Sequence, residues 1–267
     1  MIDIGVNLLH GQFDPDRAEV LVRAAAAGVE TVIITGTDLA SSAAAQRYID
    51  SQPNSAVRLY STVGVHPHDA ASAPSDLRRE LHALAGHSAV AAIGEAGLDF
   101  HRNFSPRDAQ ERVFREQVEL AAELNRTLFV HDRDSDGAVA ETLQSVGIRP
   151  QQVIIHCFTG TREQLAEYLD AGYWIGITGW VCDRKRGRAL REFVTDIPLD
   201  RLLIETDAPF LLPHTVPKDH EPGPQGRRNE PAFLPFVAEQ LADLYQLPVA
   251  DLAARCAQNS RAAFNLE

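Results

Sequence analysis

Short apolar runs rich in β-branched residues recur along this chain, each separated from the next by an amphipathic stretch long enough to form a helix. They begin near residues 2, 31, 58, 90, 128, 153, 173 and 202. Runs of this length and composition read as strands buried on both faces, the condition of a parallel sheet covered by helices. A strand followed by a helix, repeated through the chain, predicts an α/β fold of the (β/α)₈ TIM-barrel type. A doubly wound open sheet is the competing arrangement, and the polar residues separate the two. Asp3 follows Met1-Ile2, and His66 with His68 follow the run 61–65. Glu95 follows 90–94, His131 follows 128–130, His156 follows 153–155 and Asp207 closes 202–206. A barrel gathers the C-terminal ends of all its strands around one mouth, where such enzymes keep their chemistry. An open sheet gives no reason for functional groups on so many strand ends. The expectation is a barrel of the metallo-dependent hydrolase type.

The 267 residues, 45% hydrophobic and 23% charged, suit one such domain over 1–267 better than two small ones. Helices are expected from about Asp14 to Ala27 with Gly28 as the stop, from Asp38 to Ile49, and after Ser75-Asp76. Another should follow the capping-box-like Ser105-Pro106-Arg107-Asp108. Further helices are expected near 134–146, 161–171, 184–195, 231–245 and 248–264. The proline- and glycine-rich stretch from Pro213 to Pro231 reads as a long loop over the barrel mouth.

Three cysteines without a Cys-x-x-Cys spacing indicate neither a disulfide framework nor a zinc knuckle, and favour a reducing compartment. The Met1-Ile2-Asp3-Ile4 start lacks the pattern of a signal peptide, and no stretch approaches the roughly 18 apolar residues that span a bilayer. A cytoplasmic monomer with no membrane partner is therefore expected. The formal charge of −12 argues against sequence-blind coating of nucleic acid, which needs a basic surface. It does not exclude a nuclease, because metal ions and a local basic patch can offset phosphate charge.

Glu95, His131, His156 and Asp207 form the strongest chemical set. Imidazoles and carboxylates around a divalent ion with a position left for water make a hydrolytic site, and these groups are costly to bury unpaired. Glu95 could bridge two ions, and Asp207 could bind the second or take a proton from the attacking water. His66 and His68 flank Pro67; one of them contacts a ligand or substrate phosphate, or both lie in a solvated loop. Asp3 is either a strand-1 ligand or a turn-capping aspartate. Cys157 should face away from His156 by strand alternation and pack among apolar groups. Arg184, Lys185, Arg186 and Arg188, and separately Arg227 and Arg228, sit where an anionic substrate could be held, or on solvated faces. Trp180 either stacks on a base or packs within its loop.

Four segments, Gly94-Glu95-Ala96-Gly97-Leu98-Asp99-Phe100, His156-Cys157-Phe158-Thr159-Gly160, Gly176-Ile177-Thr178-Gly179 and Glu205-Thr206-Asp207-Ala208-Pro209, together resemble the TatD family of metal-dependent deoxyribonucleases. Asp3-Ile4-Gly5-Val6-Asn7-Leu8, Gly64-Val65-His66-Pro67-His68 and Arg227-Arg228-Asn229-Glu230-Pro231 extend the likeness along the whole chain and toward the TatD-like branch. The resemblance implies a barrel hydrolase that needs Mg²⁺ or a similar ion and cuts phosphodiester bonds. That branch is associated with 3′-to-5′ exonuclease action on single-stranded DNA, and also RNA, and with responses to DNA damage. The family's metal roles fall on Glu95, His131, His156 and Asp207, and His66 matches a position on the substrate side. Many relatives carry a His-x-His pair on strand 1, where this chain has Gly5 and Asn7. One of two metal sites should therefore be weak or filled only with substrate, and oxygen-rich ligation shifts preference toward Mg²⁺ or Mn²⁺.

The sequence thus supports a metal-dependent 3′–5′ exonuclease holding one or two divalent ions. Glu95, Asp207 and His66 would be catalytic, and His66, Arg227 and Arg228 would hold substrate. Two rivals stand beside it. A barrel amidohydrolase or esterase, such as a D-aminoacyl-tRNA deacylase, could use the same ion for carbonyl attack. A non-enzymatic nucleic-acid-binding barrel would have lost its strand-1 site.

Overall fold

The computed structural model describes residues 1–220 and 226–266. Its strands are β1 (Ile2–Val6), β2 (Thr31–Ile34), β3 (Arg58–Val63), β4 (Val90–Asp99), β5 (Thr127–Arg133), β6 (Val153–His156), β7 (Trp174–Ile177) and β8 (Leu202–Ile204). All neighbours pair in parallel, in the order β1 to β8. The ring closes where Val6 bridges Ala208, with Asn7 N donating to Ala208 O at 2.8 Å and Asp207 N to Gly5 O at 2.9 Å. The barrel expected from the strand count is the barrel observed.

The helices α1 (Arg17–Ala26), α2 (Leu39–Asp50), α3 (Leu77–Ala85), α4 (Arg107–Glu123), α5 (Ala138–Val146), α6 (Arg162–Asp170), α7 (Arg188–Phe193) and α8 (Leu234–Tyr245) cover the outside, followed by α9 (Val249–Phe264). Their apolar stripes, among them Val20 and Leu21 of α1, Val113 and Phe114 of α4 and Leu241 of α8, pack on the outward faces of the strands. A second cluster, of Ile2, Ile4, Ile33, Phe129, Ile154 and Leu203, fills the barrel interior and meets Phe264 of α9. Asn259 of α9 donates to Leu199 O and Leu202 O at 2.7 and 2.8 Å, fastening that helix across the barrel floor. α9 thus covers this end of the barrel, and the strand-end imidazoles and carboxylates gather at the opposite, C-terminal mouth.

Several boundaries differ from expectation for local reasons. β4 runs on to Asp99, so Glu95 lies within a strand and not at its end. The ladder shifts between Ile93 and Ala96, at Gly94, whose φ of +135° and close approach to the Phe129 backbone admit no side chain. β5 likewise continues past His131 to Arg133, and Asp134, Asp136 and Gly137 turn the chain through positive φ, so α5 begins only at Ala138. Ser105 does not cap α4; its hydroxyl donates to His68 O and accepts from Ala71 N. α1 starts at Arg17 because Asp14 and Asp16 are engaged by arginines, and Asp16 makes no cap bond. α7 starts late, at Arg188, because Asp183 Oδ1 accepts from Lys185 N and Arg186 N and holds a turn. In the loop after β8, residues 221–225 lie outside the described residues. Among the described residues no helix is long and apolar enough to cross a membrane.

Candidate active site

The mouth holds a cavity of about 730 Å³ that reaches Glu95, His66, His131, His156 and Asp207. β4 carries Glu95 to its centre, 5% exposed. Glu95 Oε1 lies 2.9 Å from His131 Nδ1, 3.3 Å from His66 Nε2 and 3.7 Å from His156 Nε2. Two donor sets are close enough to close on an ion, one of His66, Glu95 and His131, the other of His156, Cys157 and Asp207. Within each, the ligand atoms lie within 4.8 Å of one another. Their oxygen and nitrogen donors suit a divalent cation. His131 Nε2 is buried and makes no hydrogen bond, its carboxylate neighbour Asp99 Oδ2 standing 3.6 Å away, so that nitrogen keeps a donor position to offer.

Around these groups lie side chains that orient them. His156 Nδ1 faces Glu205 Oε2 at 2.6 Å, and Glu205 Oε1 accepts from Cys157 N at 2.7 Å. Such a carboxylate fixes which ring nitrogen is left for the pocket. His68 Nε2 meets Asp99 Oδ2 at 2.7 Å, and Asp99 also lies 3.6 Å from His131 Nε2. Asn7 donates to Asp207 Oδ1 at 3.0 Å. Asp3 is fully buried and does not line the cavity; its carboxylate binds Thr206 N and Thr206 Oγ1 at 2.9 and 2.6 Å, tying β1 to the end of β8. Gly5 has a reason in this arrangement, because a Cβ there would come within 2.5 Å of Glu205 Oε2. The space that a strand-1 side chain would fill is taken by the carboxylate that braces His156.

Burial and charge compete throughout. Burial works to raise Glu95, yet His66, His156 and His131 hold its carboxyl well below the usual range. Asp99 is treated likewise by His131, the Arg102 amide and His68. Burial works to lower His131 and His156, but Asp99 with Glu95, and Glu205 with Glu95, lift them to about 9 and about 10. His66 is lowered, burial outweighing Glu95. Asp207 is pushed up to about 7 by burial, with Glu95 and Glu205 adding to it and His156 opposing. The mouth is a concentration of carboxylates that demands positive charge, from protons on imidazoles or from a cation that displaces them.

The structure thus brings together Glu95, His131, His156 and Asp207 as the sequence expected, and sets His66 beside Glu95 and His131, where its ring could also reach an ion. Cys157 corrects the strand-alternation expectation. The chain leaves the strand at His156 with a φ of +46° at Cys157, and the thiol turns to line the cavity, 3.6 Å from Thr178 Oγ1. Arg227 and Arg228 are not brought into the pocket. Arg227 is exposed, and Arg228, 5% exposed, is drawn to Asp16 Oδ1 and Oδ2 at 2.6 and 2.8 Å and to Glu230 at 3.3 Å. The cations that do line the cavity are Arg102, Arg133 and Arg186, the last from the 184–188 group. Sequence reasoning missed Asp99 and Glu205. Same-face spacing was the available signal, since Asp99 is four residues from Glu95 and Glu205 two from Asp207.

Comparison with known proteins agrees with this geometry. The family model described as TatD related DNase matches residues 2–265. A relative from Pantoea vagans (strain C9-1), named 3′-5′ ssDNA/RNA exonuclease TatD, is 47% identical over 266 residues, covering 100% of both chains. The crystal structure of a hydrolase TatD family protein from Entamoeba histolytica superposes with a TM-score of 0.91 at 26% identity, covering 100% of this chain and 98% of that one. A TatD homologue from Escherichia coli K12 gives 0.88 at 26% identity, with 100% and 98% covered.

Proposed function

The chain belongs to the TatD-related DNase family, and from that premise we propose that it is a metal-dependent exonuclease that removes nucleotides from the 3′ end of single-stranded DNA and RNA. The observation that carries the reading is the convergence of Glu95 Oε1 on His66, His131 and His156 at the floor of an open cavity whose walls include Arg102, Arg133 and Arg186. Glu95, His66 and His131 would hold one ion, and His156 with Asp207 a second, Glu95 being within reach of both sets. When bound, the ion polarises the scissile phosphate and offsets charge developing on it. Mg²⁺ or Mn²⁺ is proposed because Gly5 and Asn7 leave strand 1 without imidazole donors, while Glu95 and Asp207 give each ligand set a hard carboxylate oxygen.

The chain's own groups account for the rest. Asp207, held by Asn7, positions the attacking water and accepts its proton. Glu205 and Asp99 keep the histidines in the ring orientations the site needs. Arg102, Arg133 and Arg186 hold phosphates at the rim. Every one of these groups comes from one polypeptide, so a monomer suffices, and the three free cysteines suit the cytoplasm.

Digestion of a 5′-labelled single-stranded oligonucleotide with Mg²⁺ tests the reading. A ladder shortening from the 3′ end and abolished by EDTA is the expected result. An intact oligonucleotide, with release of amino acid from charged tRNA, would replace the nuclease with a deacylase.

A further inference from the structure

Among the described residues four large hydrophobic side chains are exposed: Val22, Phe104, Phe210 and Val249. The two aromatic ones both line the catalytic cavity. Phe104, 70% exposed, follows β4, and Phe210, 46% exposed, follows β8. In an eight-stranded ring these strands are diametrically opposed, so the two rings stand on opposite lips of the mouth.

Neither ring is exposed because its loop is loose. Below Phe104, the fully buried Gln110 donates to Ser105 O at 2.7 Å and to Asp99 O at 3.3 Å, and its carbonyl accepts from Asp99 N at 2.8 Å. Below Phe210, the fully buried Asn229 donates to Phe210 O at 2.8 Å and Thr206 O at 3.0 Å. Each ring also has a histidine against it, His68 at 4.7 Å between centroids for Phe104 and His10 at 5.5 Å for Phe210. Two buried amides thus fix two loops that hold apolar rings in water, which gains the folded chain nothing by itself. A solvated ring on a rigid support is a stacking surface waiting for a flat partner.

The surrounding charge identifies that partner. Arg102, on the loop of Phe104, and Arg133 and Arg186 put three guanidinium groups on the cavity wall, beside Asp69 and Asp132, on a chain of net charge −12. Flat faces joined by phosphates are the bases of a single strand. We propose that Phe104 and Phe210 are substrate-binding residues that stack the two nucleobases flanking the scissile phosphate. This rests on the nuclease reading and deepens it. Every base has a π-face, so the clamp is indifferent to sequence. It accepts only unpaired nucleotides, because the stacked bases must leave a duplex.

Steady-state kinetics test this with Phe104→Ala, Phe210→Ala, Phe104→Trp and Phe210→Trp on an oligonucleotide and on versions abasic at the terminal or penultimate position. Each alanine variant should raise KM roughly tenfold or more on the intact strand. kcat should stay nearly unchanged, and tryptophan should restore KM. Each alanine variant should lose nothing further on the strand lacking the base that its ring holds. Unchanged KM in both alanine variants, or penalties from variant and abasic site that multiply, would overturn the clamp while leaving the nuclease intact. A wild-type enzyme unable to cut the intact strand would overturn both.

Discussion

Arg228 distinguishes a structural cation from a substrate-binding one. In the sequence it sits beside Arg227 in a loop over the mouth, as a phosphate ligand would. In the fold its guanidinium is buried over the Phe13 ring at 5.0 Å, with Asp16, Glu230 and Gln12 O as partners. The network ties the end of the post-β8 loop to the start of α1. Replacing Arg228 with alanine leaves Asp16 and Glu230 with Arg23, which lies 2.8 and 2.7 Å from them, so neither carboxylate is wholly abandoned. Breaking a buried pair by removing one partner costs about 3–5 kcal/mol, and the remaining arginine places this case near the lower end. For a chain of this size that corresponds to a fall in Tm of roughly 6–12 °C. A double-mutant cycle with Asp16→Ala should show coupling of about 1 kcal/mol or more, since the two side chains exchange charge-assisted hydrogen bonds. KM for single-stranded DNA, measured well below the lowered Tm, should remain within about twofold of wild type. An unchanged Tm with a KM raised tenfold or more would refute the reasoning and return Arg228 to the substrate.

Three further substitutions probe the parts that hold the site. In the metal-free protein, burial lifts Asp3 to about 8, above its unfolded value, so this group's stability is complete at low pH and is lost as pH rises toward 8; Asp3→Asn should flatten the decline in Tm between pH 5 and 8, and a wild-type Tm flat over that range would contradict the assignment. Gly5→Ala should displace Glu205 and cost about 1–3 kcal/mol in urea unfolding, together with activity; a neutral effect would show the carboxylate has room to move. Glu205→Gln should lower kcat/KM by roughly 10- to 100-fold through misorientation of His156, and unchanged kinetics would remove Glu205 from the account.

The strands were legible because a parallel strand is buried on both faces and so reads as an uninterrupted β-branched run, as at Val153-Ile154-Ile155. The candidate ligands were legible because a histidine or carboxylate that close to such a run has few other uses. What escaped depends on partners distant in sequence or on local departures from regular geometry. Asp99 matters because β4 continues beyond Glu95 and brings it against His68 and His131. Glu205 matters because Gly5, on the far side of the ring closure, leaves it room. Cys157 faces the pocket because its backbone leaves the β region. Arg228 belongs to a carboxylate 212 residues away, and no local pattern announces such a pair.

The most direct test of the central claim, that the carboxylate of Glu95 assembles a hydrolytic metal centre, pairs two readouts on wild type and Glu95→Gln: Mn²⁺ binding by paramagnetic resonance, and release of mononucleotides from the 3′ end of a single-stranded oligonucleotide. The account predicts that Glu95→Gln keeps its circular dichroism spectrum while losing tight Mn²⁺ binding and turnover together. A folded Glu95→Gln that still binds the ion and shortens the strand at the wild-type rate would contradict it.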